Sequence, residues 1–302
     1  MVKIFNLMNM NRILALTIAL QAFSSPAFAG GKSVYGTDDR EELFEASPMA
    51  ARLADSVVSI WKSENVRYNP ASGDFSLKTR KLAEEYHLCP GEKFGEQQEG
   101  AECSGALIGE DLVLTTGHCS TDACGEISII FGFAYKRPGD DPAAGVPGKD
   151  VYSCKRLIAR RTPQNTSGLD FALIQLDREV AGHKILARNR GAGPKKGDWV
   201  TLIGHPLGLP LKISPDGTIR DASPEGYFTT DLDSFYGNSG SPVFNTVTGL
   251  LEGILVRGGE DTAPASTGCN TLVAYPQNGG RGETVTMISA IEPFLPKFPP
   301  GI

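Results

Sequence analysis

The chain has 302 residues, of which 29 are Lys or Arg and 35 are Asp or Glu, so its formal net charge at pH 7 is −6. An acidic chain without a basic cluster is poorly suited to neutralise a phosphate backbone, and we therefore predict no nucleic-acid partner. The 35 glycines and 20 prolines indicate many turns between short strands.

The N-terminal residues have the pattern of an export signal. Lys3 and Arg12 precede an apolar run over 13–20, and this run is too short to span a bilayer. Ala27-Phe28-Ala29 has the small-x-small pattern of a cleavage site. We expect a signal peptide over 1–29 that is cleaved after Ala29, no stable membrane anchor, and a secreted or periplasmic protein.

The stretch after the leader is polar and charged. Residues 30–46 are interpreted as an N-terminal arm or a propeptide, and 47–302 are expected to form the folded domain. A helix is predicted over 75–87, because apolar residues such as Leu77 and Leu82 lie roughly on one side of it.

Short apolar or β-branched runs separated by turn residues predict strands along most of the chain. Segments 140–148 and 214–223 are interpreted as connecting loops, and 283–294 is expected to end in a short helix. Many strands and few helices predict an all-β fold, either an antiparallel barrel or a sandwich. The predicted strands cover 56–61, 105–108, 112–115, 127–133, 152–158, 171–176, 199–203, 227–230, 241–244, 250–256 and 271–275.

The cysteine count is even, and together with an export signal it favours disulfides formed in an oxidising compartment. No CxxC pair and no HExxH motif occurs, so we predict no metal and no cofactor. The six cysteines are Cys89, Cys103, Cys119, Cys124, Cys154 and Cys269.

Segment 236–242, with the sequence YGNSGSP, contains the candidate nucleophile Ser239. Glycines on both sides of the motif let the backbone turn tightly, as acyl transfer to a serine requires. The amides of Gly237 and Ser239 would then stabilise an oxyanion. Taken alone, the motif also fits an ordinary hairpin turn.

His118, in the sequence TTGHC, is the candidate general base, and Asp170, in the sequence DFALIQL, is its candidate partner. A Cys103–Cys119 bridge across a plausible hairpin would hold the histidine loop rigid. A carboxylate beside an apolar strand is costly unless it is paired. Pairing with the second imidazole nitrogen would fix the tautomer of His118 and stabilise the imidazolium.

The motifs TTGHC, DFALIQL and GNSGSP, in this order, resemble those of the chymotrypsin-like (trypsin-like) serine peptidase superfamily. The Ser-Pro pair after Gly240 and the segment 34–39 are most similar to the bacterial glutamyl-endopeptidase-like branch. The resemblance covers about 34–295. It implies two perpendicular six-stranded antiparallel β-barrels with a short C-terminal helix, a junction near 176–198, and the site in the cleft between them. It also implies an endopeptidase that acts on proteins or peptides through an acyl-enzyme, and we expect a monomer.

The resemblance further implies that the residue six before the nucleophile lies at the base of the pocket for the side chain preceding the cleaved bond. That residue is Asp233, and its carboxylate would attract an Arg or Lys side chain. Ser234 would add a hydroxyl. Segment 253–259 resembles the wall of this pocket, in which Gly258 would leave room for a long side chain. We therefore predict cleavage after Arg or Lys.

Two points leave other specificities open. The glutamyl branch often prefers Glu, although it uses a histidine where this chain has Leu255, and this change argues against a Glu preference here. Arg257 lies close to Gly258 in the chain and would be able to satisfy Asp233 internally.

Asn238 departs from animal trypsins, in which an aspartate at this position binds the new N-terminal ammonium after zymogen cleavage. A neutral amide cannot form that ion pair, so we expect no such activation switch, and we expect Asn238 to form local hydrogen bonds instead. His205, in the sequence GHPLG, is interpreted as marking a turn.

Three rival functions fit the sequence less well. An inactive homologue would bind peptides through the same cleft, but all three triad residues are present, which disfavours it. A periplasmic protease-chaperone would carry a peptide-binding module where this chain has only a short tail. An esterase of the α/β-hydrolase fold would need a GxSxG motif and a histidine that comes last in the chain.

Overall fold

The computed structural model describes residues 33–121, 123–163 and 169–296. The predicted signal peptide over 1–29, the first residues of the predicted arm, and the C-terminal residues 297–302 lie outside the described residues. Of the helices in the described part, none is long and apolar enough to cross a membrane.

A first barrel is built by six strands from the N-terminal half. They are β1 (Val57–Lys62), β2 (Cys103–Gly109), β3 (Leu112–Thr115), β4 (Ile127–Phe131), β5 (Val151–Arg161) and β6 (Phe171–Leu176). They pair antiparallel in the order β4-β5-β6-β3-β2-β1, and β1 pairs back with β4, so the sheet closes. Alternate side chains point inward and fill the barrel, among them Val58, Leu107, Ile129 and Ile174.

A second barrel follows in the C-terminal half. Its strands are β7 (Trp199–Gly204), β8 (Lys212–Asp221), β9 (Tyr227–Thr230), β10 (Pro242–Asn245), β11 (Leu251–Arg257) and β12 (Glu283–Met287). They pair antiparallel in the order β7-β10-β11-β12-β9-β8, and β8 pairs back with β7. Val200, Ile219, Phe228 and Leu255 belong to its core.

The two barrels bury a shared apolar layer between them. In β6, Phe171 and Leu173 belong to this layer, whereas Ile174 points into the first barrel. The second barrel contributes Ile203 and Ile254 to the same layer. Strands with both faces buried need near-continuous apolar sequences. Burial of each large apolar side chain stabilises the folded state by about 1.5–3 kcal/mol. The predicted pair of six-stranded barrels is confirmed.

The remaining elements are short and connect or flank the barrels. The helices are α1 (Pro48–Ala54), α2 (Leu82–Glu85) and α3 (Ile288–Ile291), and α3 confirms the predicted short C-terminal helix. The 3-10 helices are Ser63–Asn65, Gly117–Cys119, Cys124–Glu126, Gly148–Asp150, Pro206–Gly208 and Glu292–Phe294. The short strands are Val34–Tyr35, Glu41–Glu42, Val66–Tyr68, Asp74–Leu77, Arg80–Lys81, Gln98–Glu99, Val146–Pro147, Thr262–Pro264, Asn270–Leu272 and Ala274–Tyr275.

The part of the predicted arm that the structure describes packs onto the second barrel. Val34–Tyr35 pairs in parallel with Ala274–Tyr275, and Glu41–Glu42 pairs antiparallel with the first residues of β8. Ser33 is buried as well. The interpretation of 30–46 as an arm or propeptide and the domain boundaries stay predictions.

The predicted helix over 75–87 is wrong over most of its length, since only Leu82–Glu85 is helical. Its first residues form the strand Asp74–Leu77, which pairs on one side with Val66–Tyr68 and on the other with Val146–Pro147. Two flanking partners supply ladder hydrogen bonds that the helical spacing of apolar residues cannot reveal.

The predicted loop over 214–223 is also wrong, because most of it is strand β8. Its Pro, Asp and Gly residues are typical of turns. The register between β7 and β8 shifts between Val200 and Leu202, so Pro215 lies in a bulge. A bulge tolerates proline because the ladder needs no N–H there.

Three disulfides join the six cysteines of the chain. Cys103–Cys119 links β2 to the turn after β3. Among the pairings left open by the sequence, the structure has Cys124–Cys154 and Cys89–Cys269, the second closing a sequence separation of 180 residues.

His205 lies at the turn predicted for it and is 1% exposed. Its Nδ1–H donates to the carbonyl of Leu209 at 3.0 Å, and its ring stacks on Phe133 at a centroid distance of 5.8 Å. Burial lowers the pKa of His205 to about 3, although the bond to Leu209 opposes this shift. The native protein therefore holds a neutral imidazole here.

The neutral His205 should make the protein less stable in acid. The unfolded chain protonates this residue below about pH 6.5, whereas the native state stays neutral until about pH 3. The unfolded state thus binds more protons, so the free energy of unfolding falls as the pH drops through this window. The variant His205→Asn retains a donor near the position of Nδ1 and has no group that titrates there. The urea midpoint of this variant should therefore fall less steeply than that of the parent protein as the pH is lowered.

The matched control is His87→Asn, which removes an exposed histidine whose φ of 51° an asparagine tolerates. It should keep the pH slope of the parent protein. Equal slopes for His205→Asn and the parent would contradict the expectation.

Candidate active site

His118 and Asp170 are held side by side by neighbouring strands of the first barrel. Strands β3 and β6 pair with Thr115 opposite Ala172, so the turn after β3 meets the residue before β6. His118 Nδ1 lies 2.7 Å from Asp170 Oδ2. A carboxylate can only accept, so Nδ1 is the donor and Nε2 is the proton-accepting nitrogen.

The carboxylate of Asp170 is 3% exposed and is held by further donors. Its Oδ1 accepts the backbone N–H of Gly117 at 2.7 Å and that of His118 at 3.3 Å. These bonds satisfy a buried charge and prevent the carboxylate from rotating away from the imidazole. The histidine is the more exposed partner, with 45% of its side chain accessible.

The predicted nucleophile loop packs against this end of the first barrel. The carbonyl of Ser239 accepts the N–H of Ser104, on β2, at 2.9 Å. The same carbonyl oxygen lies 3.7 Å from the sulfur of Cys119. The backbone of Ser239 therefore touches the residue that follows His118, and Ser239 itself is 7% exposed.

Ser104 is a residue that the sequence reasoning missed. Its hydroxyl donates to the carbonyl of Gly237 at 2.8 Å and accepts the N–H of His205 at 2.9 Å. Its own carbonyl accepts the hydroxyl of Thr115 at 2.7 Å. One buried serine thus joins the nucleophile loop, the His205 turn and the strand that leads to His118. Its place directly after Cys103 was the one signal available in the sequence.

Gly237 turns the backbone before the nucleophile with a φ of 86°. A Cβ at this position would overlap the carbonyl oxygen of His205, so only glycine fits. The carbonyl of the preceding Tyr236 accepts the N–H of Leu207 at 2.5 Å. The turn that would present the oxyanion donors is therefore supported from beneath by the His205 turn.

Asn238 forms the local hydrogen bonds expected of it. Its side-chain oxygen accepts the hydroxyl of Ser241 at 3.1 Å, and its Nδ2 donates to Ser234 Oγ at 3.5 Å. The residue is 2% exposed. These bonds hold the loop on both sides of Ser239.

The predicted pocket residues have the following surroundings. The buried carboxylate of Asp233 accepts the backbone N–H of Tyr35 at 2.7 Å and that of Asp39 at 3.2 Å. Burial lowers the pKa of Arg257, and the carboxylate that opposes this shift is Asp170 rather than Asp233. The internal partners of Asp233 are thus backbone amides of the arm.

The other two predicted pocket residues are Ser234 and Gly258. Ser234 is buried, and its N–H donates to the carbonyl of Ser33 at 3.1 Å. Gly258 directly follows β11, and its carbonyl accepts the guanidinium of Arg281. The roles of Asp233, Ser234 and Gly258 in binding substrate stay predictions.

Only one group in the described ranges has the spacing of a metal site. The donor atoms of Cys103, His118 and Cys119 lie within 4.8 Å of one another. The two sulfurs form a disulfide, however, and a disulfide sulfur is not the thiolate that binds metals. The donor set therefore does not fit a metal ion.

A family model described as trypsin-like peptidase domain matches residues 103–254, about half of the chain. The matched segment contains all three motifs on which the sequence argument rests. The chain belongs to the trypsin-like peptidase family. The predicted superfamily of this trypsin-like domain is thereby confirmed, while the glutamyl-endopeptidase-like branch stays a prediction.

One solved structure similar to this trypsin-like chain is the crystal structure of the serine endoprotease from Yersinia pestis. The two share 17% sequence identity with a TM-score of 0.48, and the match covers 81% of this chain. This chain covers 63% of that protein.

Removing the Ser104 hydroxyl should slow the reaction of Ser239 as well as destabilise the fold. Ser104→Ala leaves the His205 N–H and the Gly237 carbonyl without their partner, at a cost of about 1–3 kcal/mol per group. Displacement of the Gly237 turn should slow the labelling of Ser239 by a fluorophosphonate about 10- to 100-fold.

Ser59→Ala is the matched control for Ser104→Ala. Ser59 is equally buried, donates to the carbonyl of Ile130 at 3.2 Å and accepts the Trp61 indole N–H at 2.9 Å. It should lose similar stability in urea and keep the labelling rate. Equal labelling rates for the two variants would disprove a positioning role for Ser104.

The disulfide beside His118 should matter for activity as well as stability. Both Cys103→Ser/Cys119→Ser and Cys124→Ser/Cys154→Ser should lower the free energy of unfolding by about 2–4 kcal/mol, since the closed loops span 16 and 30 residues. Only the first pair should also slow fluorophosphonate labelling, by about tenfold or more, because it alone adjoins the histidine turn. The labelling rate and the urea midpoint are measured for both variants. An equal loss of labelling in the two variants would refute a specific role for Cys103–Cys119.

Proposed function

We propose that this protein is a secreted serine endopeptidase that cleaves peptide bonds through His118, Asp170 and Ser239, with a preference for Arg or Lys before the cleaved bond. The single observation that carries the proposal is the 2.7 Å hydrogen bond between His118 and Asp170, at the end of the barrel against which the Ser239 loop packs. Family membership supports the same reaction class.

In the proposed reaction, Ser239 Oγ attacks the scissile carbonyl carbon while His118 Nε2 takes the hydroxyl proton. Asp170 holds the Nδ1–H tautomer and stabilises the imidazolium that forms. The negative charge that develops on the carbonyl oxygen is stabilised by the N–H groups of Gly237 and Ser239.

The tetrahedral intermediate then expels the amine, which receives the proton from His118, and the acyl group remains on Ser239. A water molecule gives its proton to His118 and attacks the acyl-enzyme. Collapse of this second intermediate releases the acid and returns the proton to Ser239. The reaction consumes one water for each peptide bond and needs no cofactor.

Export is supported by the cysteine chemistry. All six cysteines are in disulfides, which persist in extracellular or periplasmic surroundings. The proposed substrates are proteins or peptides, and we propose a monomer without a membrane anchor.

The triad is tested by active-site labelling and peptide digestion. The purified secreted protein should react with a fluorophosphonate and digest a peptide library with cuts after Arg or Lys, and Ser239→Ala should abolish both activities. Asp170→Asn should lower kcat about 10⁴-fold, because the imidazole loses the acceptor that fixes its tautomer.

Asp177→Asn is the matched control for Asp170→Asn. Asp177 follows the other end of β6 and binds the N–H of Ser153 and the guanidinium of Arg178. This variant should keep the kcat of the parent protein. A parent protein that neither labels nor cleaves would instead be an inactive, peptide-binding homologue.

A further inference from the structure

A second buried carboxylate lies beside the predicted pocket wall. Glu283 opens strand β12, opposite Thr230 on β9, and has no exposed surface. Its Oε1 accepts the hydroxyl of Tyr35 at 3.2 Å and the N–H of Gly259 at 3.3 Å. No local sequence pattern marks Glu283 as part of the pocket, because it lies far from Ser239 along the chain.

The carboxylate of Glu283 fills the space that a side chain at Gly258 would need. A Cβ built on Gly258 would overlap both carboxylate oxygens of Glu283 and its carboxyl carbon. Because Gly258 has no side chain, the carboxylate of Glu283 is able to lie directly against this part of the wall.

Strand β11, which contains most of the predicted pocket wall, runs directly alongside the Ser239 turn. The carbonyl of Leu255 accepts the N–H of Gly240 at 2.8 Å, and the N–H of Leu255 donates to the carbonyl of Ser241 at 2.9 Å. Gly258 lies three residues further along the chain. A substrate side chain that follows the wall away from Ser239 and passes Gly258 would therefore meet Glu283.

The carboxylate of Asp233, in contrast, already forms hydrogen bonds with the N-terminal arm. Two backbone N–H groups of the arm already bind its carboxylate, and its own N–H donates to Ser214 Oγ at 3.1 Å. Burial and the neighbouring charges of Asp39 and Asp38 raise the pKa of Asp233, against the opposing effect of the two amides. A carboxyl group bonded to the arm, whose negative charge is also disfavoured by neighbouring carboxylates, is a weak receptor for a cation.

A positive side chain of the protein itself already lies at this wall. The guanidinium of Arg281 donates to the carbonyl of Gly258, two residues before Glu283 in the chain. Arg281 thus brings to the Gly258 carbonyl a guanidinium, the same group that a substrate arginine would bring.

We propose that Glu283, rather than Asp233, is the specificity-determining carboxylate that binds the Arg or Lys side chain before the cleaved bond. In the free enzyme, Arg281 occupies the position of this substrate side chain. A charge-assisted bond between a guanidinium and a buried carboxylate has the strength and geometry to select basic residues. The inference rests on the proposed peptidase function and assigns its pocket.

The test compares two isosteric variants on two peptide substrates that differ only in Arg or Met before the cleaved bond. Glu283→Gln should lower kcat/KM for the Arg peptide at least 100-fold and reduce the Arg-to-Met ratio by nearly the same factor. Asp233→Asn should lower kcat/KM for both peptides by a similar factor, since it loosens the arm. An unchanged ratio in Glu283→Gln, or a selective loss of Arg cleavage in Asp233→Asn, would overturn the proposal.

Fluorophosphonate labelling separates this proposal from the proposed function. Labelling of the parent protein, together with an Arg preference that is present in the parent and lost in Glu283→Gln, supports both. A parent that labels but prefers a residue other than Arg or Lys overturns the assignment of Glu283 and leaves the peptidase standing. A parent that does not label overturns both.

Arg281→Ala provides a second measurement that does not depend on the stability of Glu283→Gln. Removal of the internal guanidinium should lower KM for the Arg peptide severalfold and leave KM for the Met peptide within twofold. An unchanged KM for the Arg peptide would contradict the proposed occupancy.

Discussion

The hydroxyl and backbone of Ser104 hold the nucleophile loop of the second barrel against the first barrel. Two bonds to this loop, through the carbonyls of Gly237 and Ser239, come from a single buried residue on β2. The same strand is tied to the histidine turn by Cys103–Cys119. The position of the Ser239 loop relative to the His118 turn therefore depends on these short contacts. The apolar layer between the barrels does not fix it alone, because hydrophobic contacts are not directional.

The turn that contains the buried His205 packs against this loop. His205 supplies a backbone carbonyl where a Cβ of Gly237 would lie and a backbone N–H to Ser104, while its ring is kept neutral by burial. The same turn contains Leu207 at a φ of 55°, an uncommon conformation for a branched residue. A strained, desolvated turn is tolerated because it supports the proposed oxyanion donors.

The N-terminal arm links the pocket carboxylates to the fold. The N–H of Tyr35 binds Asp233, and its hydroxyl binds Glu283. One residue of the arm thus spans the two acidic groups considered for substrate recognition. These contacts accompany the burial of Val34 and Tyr35, which are 3% and 2% exposed.

Local sequence patterns determined the strand-rich fold, the three motifs and the turn at His205, because alternation, turn residues and short motifs are properties of neighbouring residues. They failed for 75–87 and 214–223, where distant strands supply the hydrogen bonds that decide the structure. Only the tertiary structure brought together residues such as Ser104 and Gly237, or Gly258 and Glu283. Contacts of this kind join separate strands, and their register depends on the closure of both barrels, which no short stretch of sequence encodes.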